Sequence, residues 1–373
     1  MTGWATGTSS WREWSEKLSK TGPRVAAAPS RWRPIPRPAM RRWDARGNGK
    51  NGVVMAKTLE ATQIGTKAET LLRHSGLQWE IVAAVSGAVY IIARNGELIW
   101  LTDQASALHP RAILLRAMPP DVPETGSSFE SNGDSLRCES FTLGWQRASR
   151  WAPTWITDAR AIGAGGLGQA IDAIERVLSK PSDRESTRDG GASSLFERQL
   201  VEAAGHLRRV SKKRGVLAGL QAVSGIVGLG QGLTPQGDDL LGGYLFTLHA
   251  MDASGCLSFQ VDWGSVTTWL HSVAHCTNAI SHILLADHAH GDSCAPLVAF
   301  IHGVLKGEVC ERLDQLASDV VGIGASSGRS LLEGVQSACH VARSPRTTEQ
   351  KLLADELRKT FSRPARREVA RVR

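Results

Sequence analysis

The 373-residue chain is 42% hydrophobic, enough for a sizeable core in one large or two medium domains. It has no apolar run of the roughly 18 residues that a membrane-spanning helix needs. Its net charge of +8 is confined to its ends: residues 1–54 carry eleven Lys/Arg against three acids, the tail 362–373 carries five against one, and the stretch between is net −4. Nucleic-acid binding wants its basic patch on a folded face, so that class is set aside.

Residues 1–54 hold five of the twelve Trp, among Arg and Pro, without a sustained period. Three readings stand side by side: an Arg-rich transit peptide, a basic disordered arm, or a start at Met55. From Met55, MAKTLEATQIGTKAETLLRHSG reads as a short helix. From Trp79 the pattern turns to strands, with Asn95-Gly96 as a hairpin turn between Val89–Ala93 and Leu98–Thr102. Ala112–Arg116 reads as another strand, residues 119–136 as a turn-rich connection, and Cys138–Trp145 as a further strand. Trp145, Trp151 and Trp155 are expected in core or interface packing. Residues 70–156 therefore form a small antiparallel β-rich unit.

Beyond it, residues 157–361 read as a larger, mainly helical domain, so the fold class is α+β. Helices are expected at Ala159–Ser179, Ser194–Val210, Gly215–Val223 and Thr347–Phe361, with a polar loop at Lys180–Ser193. Thr267–Ala289 reads as one long helix carrying His271, His275, Asn278 and His282 in a stripe, with Thr277, Ser281 and His288 beside it. A His-x-x-x-His pair can ligate a metal, but no Glu accompanies it in a zincin pattern, so structural or surface roles are expected for these histidines. The six cysteines form no C-x-x-C pair, and with no secretory signal a reduced, cytoplasmic setting is expected.

The densest chemistry lies in Ser224–Ala250, SGIVGLGQGLTPQGDDLLGGYLFTLHA. Gly228, Gly230, Gly232 and Gly237 crowd around Thr234 and Pro235, and Asp238 and Asp239 open an apolar run. The plain reading is a turn-rich loop with one Asp capping a helix. The functional reading is an anion or metal–anion site, with free N–H groups and two carboxylates at a helix N-terminus. Paired carboxylates repel a bare anion, so that site implies a cation such as Mg²⁺ or a protonated Asp. Gly242 and Gly243 suggest the close approach of another backbone. GDDLLGG (237–243) also aligns with GRSLLEG (328–334), pointing to two equivalent helix starts, with Ser326, Ser327 and Gly328 as an anion nest at the second.

The run GQGLTPQGDDLLGGYLFTLHA resembles the G-x-GLTP-x-GDD signature of the AllH-like family, and Thr277–Gly291 and Gly322–Gly334 fit the same pattern. The resemblance covers roughly residues 70–345. It implies a subunit of a multi-protein oxamate carbamoyltransferase of allantoin catabolism, interconverting oxalurate plus phosphate with oxamate plus carbamoyl phosphate. It also singles out Thr277, Ser281 and Gly291. The partners so implied are the other subunits and a small anionic substrate. On this reading Asp238 and Asp239 are catalytic or metal-binding, and Gly230, Gly232, Thr234, Gly237, Ser326, Ser327 and Gly328 hold the anion. The alternative is a non-catalytic carboxylate- or phosphate-binding or scaffold subunit, since no covalent nucleophile can be assigned.

Overall fold

The computed structural model describes residues 57–154 except 75 and 120, then 164–180 and 192–343. The expectations for residues 1–54, for the loop after Lys180, for Thr347–Phe361 and for the basic tail lie outside these residues. The first element is a strand, β1 (Lys57–Gly65), where a helix was expected; the helix α1 (Thr66–Arg73) follows it. Partners far along the chain override local helix preference here. β1 pairs in parallel with β8 (Phe141–Gly144) through its first half and antiparallel with β5 (Ala112–Leu115) from Ala61 on.

That double pairing closes a barrel. Around it run β5, β4 (Leu98–Thr102), β3 (Ala88–Ala93), β2 (Gln78–Val85), β6 (Ser128–Ser131), β7 (Ser135–Arg137), β8 and β1, with β9 (Ser149–Trp151) laid beside β1. Pairing is mostly antiparallel, but β1–β8, β1–β9 and β4–β5 are parallel. β6 and the start of β7 fall inside the stretch 119–136 that reads as turns. They are short and polar, and only Phe129, Ser131 and Leu136 turn inward. Trp79, Ile81, Ile91, Ile99, Ile113 and Phe141 fill the interior, and α1 contributes Ala68 and Leu72. β4 is buried at all five positions: Ile99 and Leu101 face the barrel core, while Leu98 and Trp100 belong to the cluster shared with the helices.

The helical unit comprises α2 (Ala164–Leu178), α3 (Ala192–Arg214), α4 (Val216–Ala222), α5 (Gln236–Ala253), α6 (Trp263–Val273), α7 (Ala279–Ala289), α8 (Ala295–Lys306), α9 (Cys310–Val321) and α10 (Ser327–Ala342). The long helix expected from Thr267 to Ala289 is broken. A 3₁₀ turn at Ala274–Cys276 and extended Thr277 intervene, and Asn278 caps α7 by accepting from the Ser281 N–H at 3.0 Å. The histidine stripe is therefore split, although the His271 and His282 rings still lie 6.2 Å apart.

α5 is buried on every side, with all residues from Gly237 to Leu248 inside. It partitions two cores: Phe246 and Met251 face one, Leu241, Tyr244 and Leu248 the other. α10 crosses it at backbone contact. A Cβ on Gly243 would lie 2.1 Å from the Leu331 carbonyl oxygen, and one on Gly334 would lie 2.0 Å from that of Leu240. These are equivalent positions of the two seven-residue repeats, so the contact is reciprocal and the helix pair is related by an approximate two-fold. No helix among the described residues is long and apolar enough to cross a membrane, and all six cysteines are unpaired.

The barrel meets the helices through a buried ion-pair network. Arg111 holds Asp287 of α7 with Nε to Oδ2 at 2.5 Å and Nη2 to Oδ1 at 3.1 Å, and reaches Glu97 at 2.7 Å. Lys67 bridges Asp287 at 2.7 Å and Asp292 at 2.5 Å. Burial alone would raise the Asp287 carboxyl, but the Arg111 hydrogen bonds and the charges of Arg111 and Lys67 hold it down, at about 2.

Gly243→Ala and Gly334→Ala each press a methyl onto a backbone carbonyl that cannot swing aside. Each is expected to cost about 2 kcal/mol or more in thermal or denaturant unfolding. Gly165→Ala in α2, where nothing lies within 4 Å of the added carbon, is the control, expected to be neutral or stabilising by up to ~1 kcal/mol. Equal stabilities for all three variants would remove the glycine contact as a constraint.

Candidate functional site

The glycine-rich loop leaves a 3₁₀ turn at Ser224–Ile226 and passes close to the turn between α6 and α7. Gly228 has φ +74°, and a Cβ there would lie 2.0 Å from the Cys276 carbonyl oxygen. The Gly228 N–H donates to Asp238 Oδ1 at 2.7 Å. Asp238 Oδ2 accepts from the hydroxyls of Thr277 and of Ser281, the latter at 2.6 Å. Asn278 adds a bond from its amide to the Leu233 carbonyl at 2.9 Å. Asp238, 2% exposed, is thus a clasp between the loop and α7, and Thr277 and Ser281 serve that clasp.

Neither aspartate caps the helix. Pro235 occupies the N-cap position, and both acids lie in the first turn. The free N–H groups expected there are also engaged: Gly237 donates to the Leu229 carbonyl at 2.9 Å, and Asp238 and Asp239 donate to that of Pro235 at 2.9 and 3.0 Å. Gln236 folds back to accept from the Gln231 N–H at 3.0 Å and packs on Gly230, while Gly232 is exposed at the loop tip with φ +93°. At the second helix start the Gly328 N–H donates to the Ile323 carbonyl and Ser326 occupies the N-cap position. Arg329 turns away to the carbonyls of Leu178 and Lys180. Backbone anion binding, as the sequence suggested it, gives way to side-chain donors.

Those donors converge on Asp239. The Thr234 and Ser327 hydroxyls lie 2.9 Å apart, joining the two helix starts, and both act on the Asp239 carboxyl beside them. Asp239 is 8% exposed, and its Oδ2 has no partner among the described residues. Burial pushes this carboxyl up, the Asp238 charge adds to the rise, the two hydroxyls oppose it, and the result is about 8. At neutral pH Asp239 is a carboxylic acid, a hydrogen-bond and proton donor.

The neighbours of Asp239 come from both units. Tyr90 of β3 is raised by burial and then by the Asp239 charge, and Cys294, ahead of α8, senses the same charge. One turn along α5, Gly242 makes room for the His288 ring, whose Cδ2 would lie 2.5 Å from an added Cβ. Tyr90 and His109 carry no sequence signal: Tyr90 sits in an ordinary strand-like run, and His109 in the turn before the strand Ala112–Leu115. A cavity of about 660 Å³ opens elsewhere on the barrel, lined in part by Glu69, Arg73, Trp145 and Arg150. It shares no residue with the Asp239 cluster, and its two arginines already pair with Glu69.

The fit to Mg²⁺ is poor: Asp238 already accepts three hydrogen bonds, and among the described residues no three His, Cys, Asp or Glu side chains group as metal ligands.

Residues 226–339, from the glycine-rich loop to the end of α10, match the family model described as oxamate carbamoyltransferase subunit AllH. No curated protein and no solved structure gives a significant match.

Asp239 holds its proton to about pH 8 when folded but releases it near 3.8 when unfolded. Its contribution to stability is therefore full below about pH 4 and is lost as the pH rises through about 8. The slope is at most about 1.4 kcal/mol per pH unit, and Asp239→Asn is expected to flatten it in denaturation measured from pH 5 to 9. Asp238→Ala, which strands three donors, is expected to cost at least about 2 kcal/mol at every pH in that range.

Proposed function

We propose that the protein is a subunit of an oxamate carbamoyltransferase-type complex and binds a small anionic substrate where the starts of α5 and α10 converge. The observation that carries this reading is the buried, unpartnered oxygen of the Asp239 carboxyl beside two hydroxyls, within the segment that matches the family model.

The reaction joins a phosphate oxygen to the carbamoyl carbon of oxalurate and breaks that carbon's bond to the oxamate nitrogen. The departing nitrogen needs a proton. Asp239, held near 8, is matched to supply it in this direction and to take it back from oxamate in the other. Thr234 and Ser327 are placed to donate to an anionic oxygen beside it, fixing orientation and stabilising charge that develops at the carbonyl. Asp238 keeps the loop in place and has no chemical step. Mg²⁺ enters only as a companion of a phosphate-bearing ligand, because the protein offers it no cage of its own.

A second reading, a ligand-binding or scaffold subunit whose chemistry is completed elsewhere, draws on the small number of open groups: one carboxyl and two hydroxyls. Two measurements separate the readings. Calorimetric titration of the full chain with phosphate, oxamate and carbamoyl phosphate, each with and without Mg²⁺, is expected to show binding that weakens as the pH rises through about 8. In the complex assembled with its partner subunits, Asp239→Asn is expected to lower turnover by about a hundredfold or more, in the range of general acid–base catalysis. Unchanged turnover would leave the binding or scaffold reading standing and remove the catalytic one.

A further inference from the structure

A row of rings lies on the outer face of the barrel. Tyr90 and Trp100 have centroids 5.6 Å apart, and Trp100 and His109 have centroids 5.0 Å apart. Tyr90, at one end, senses the charge of Asp239; His109, at the other, senses His288 and Asp287. Asp239 and Gly242, the shelf for His288, are one turn apart on α5, a rise of about 4.5 Å. The 108–109 turn is pinned to the helices by the Ala295 N–H donating to the Leu108 carbonyl at 2.8 Å.

Along this seam three polar atoms are buried without partners among the described residues: Asp239 Oδ2, His288 Nδ1 and His109 Nε2. Their residues are 8%, 8% and 2% exposed. Native interiors satisfy nearly all such atoms, so three along one seam between two units point to a ligand. His109 Nδ1 accepts from the Arg111 N–H at 3.2 Å, so the neutral ring carries its proton on Nε2, an open donor. The charged groups that face these rings are already paired: Arg111 and Lys67 hold Asp287, and Lys67 holds Asp292. The histidine end of the seam therefore presents neutral groups, suited to an amide, while the Asp239 end presents hydroxyl and carboxyl donors suited to a carboxylate or phosphate.

We infer that barrel and helices share one ligand site, in which His109 and His288 face the amide carbonyl of a small planar amide-acid whose amide nitrogen and neighbouring anionic oxygen meet Asp239, Thr234 and Ser327. This deepens the proposal above and rests on its anion site. It also brings in a residue, His109, that lies outside the 226–339 match.

The test is titration of full-length wild type and His109 variants with oxamate, which carries both ends, and with inorganic phosphate, which carries only one. His109→Phe keeps a flat ring against Trp100 and removes the donor. It is expected to weaken oxamate binding by at least about tenfold while changing phosphate binding less than about threefold; His109→Gln, which restores an N–H, should return oxamate to within about threefold. Oxamate binding by His109→Phe equal to wild type overturns this inference alone. Wild type binding neither anion overturns it together with the Asp239 reading. Should His109→Phe fail to fold, nitrogen-edited NMR of the wild-type histidine rings decides: oxamate should move the His109 Nε2–H signal, and a signal unmoved at saturation overturns the inference.

Discussion

Two helices cannot meet backbone to backbone with a side chain between them, and Gly243 and Gly334 remove the side chain at both points where α5 meets α10. The rest of the helical unit follows from that crossing. The pair forms the wall between two apolar cores, and the outer helices pack against its faces. Because the contact is reciprocal, the N-termini of both helices arrive at the same place, and the Thr234 and Ser327 hydroxyls meet there. That meeting point is a geometric consequence of the packing at the four-residue contact of Leu240, Gly243, Leu331 and Gly334.

The adjacent aspartates show how helical geometry divides labour between like residues. Successive positions on a helix point about 100° apart. Asp238 faces the loop and α7, where three donors fill its oxygens; Asp239 faces α10 and the barrel, where two hydroxyls leave one oxygen open. A buried carboxyl with little solvation keeps its proton. One residue therefore organises the loop, and the other holds a proton near neutral pH.

The barrel does more than cap the helices. Its Arg111 and Lys67 fix the end of α7 through Asp287 and Asp292, while β4 turns Leu98 and Trp100 outward onto the same surface. Breaking such a buried network by removing one charge is costly, so the two units are held in one register. That register sets Tyr90 opposite Asp239 and His109 opposite His288.

Much of this was legible in the residues themselves. Asn95-Gly96 can hardly be anything but a hairpin turn, a glycine-punctuated GLTP loop before an apolar run marks a helix start, and seven residues repeating as GDDLLGG and GRSLLEG announce two equivalent ones. Local backbone preference and pattern determine such features. The remainder depends on what arrives from far along the chain. The strand character of Lys57–Gly65 needs β5 and β8, barrel closure needs the polar strands β6 and β7, and the break before Asn278 accompanies the clasp on Asp238. Most of all, no pattern distinguishes Asp238 from Asp239 or selects His109. Protonation and open valence are set by burial and by the number of donors within reach, and those belong to the assembled fold.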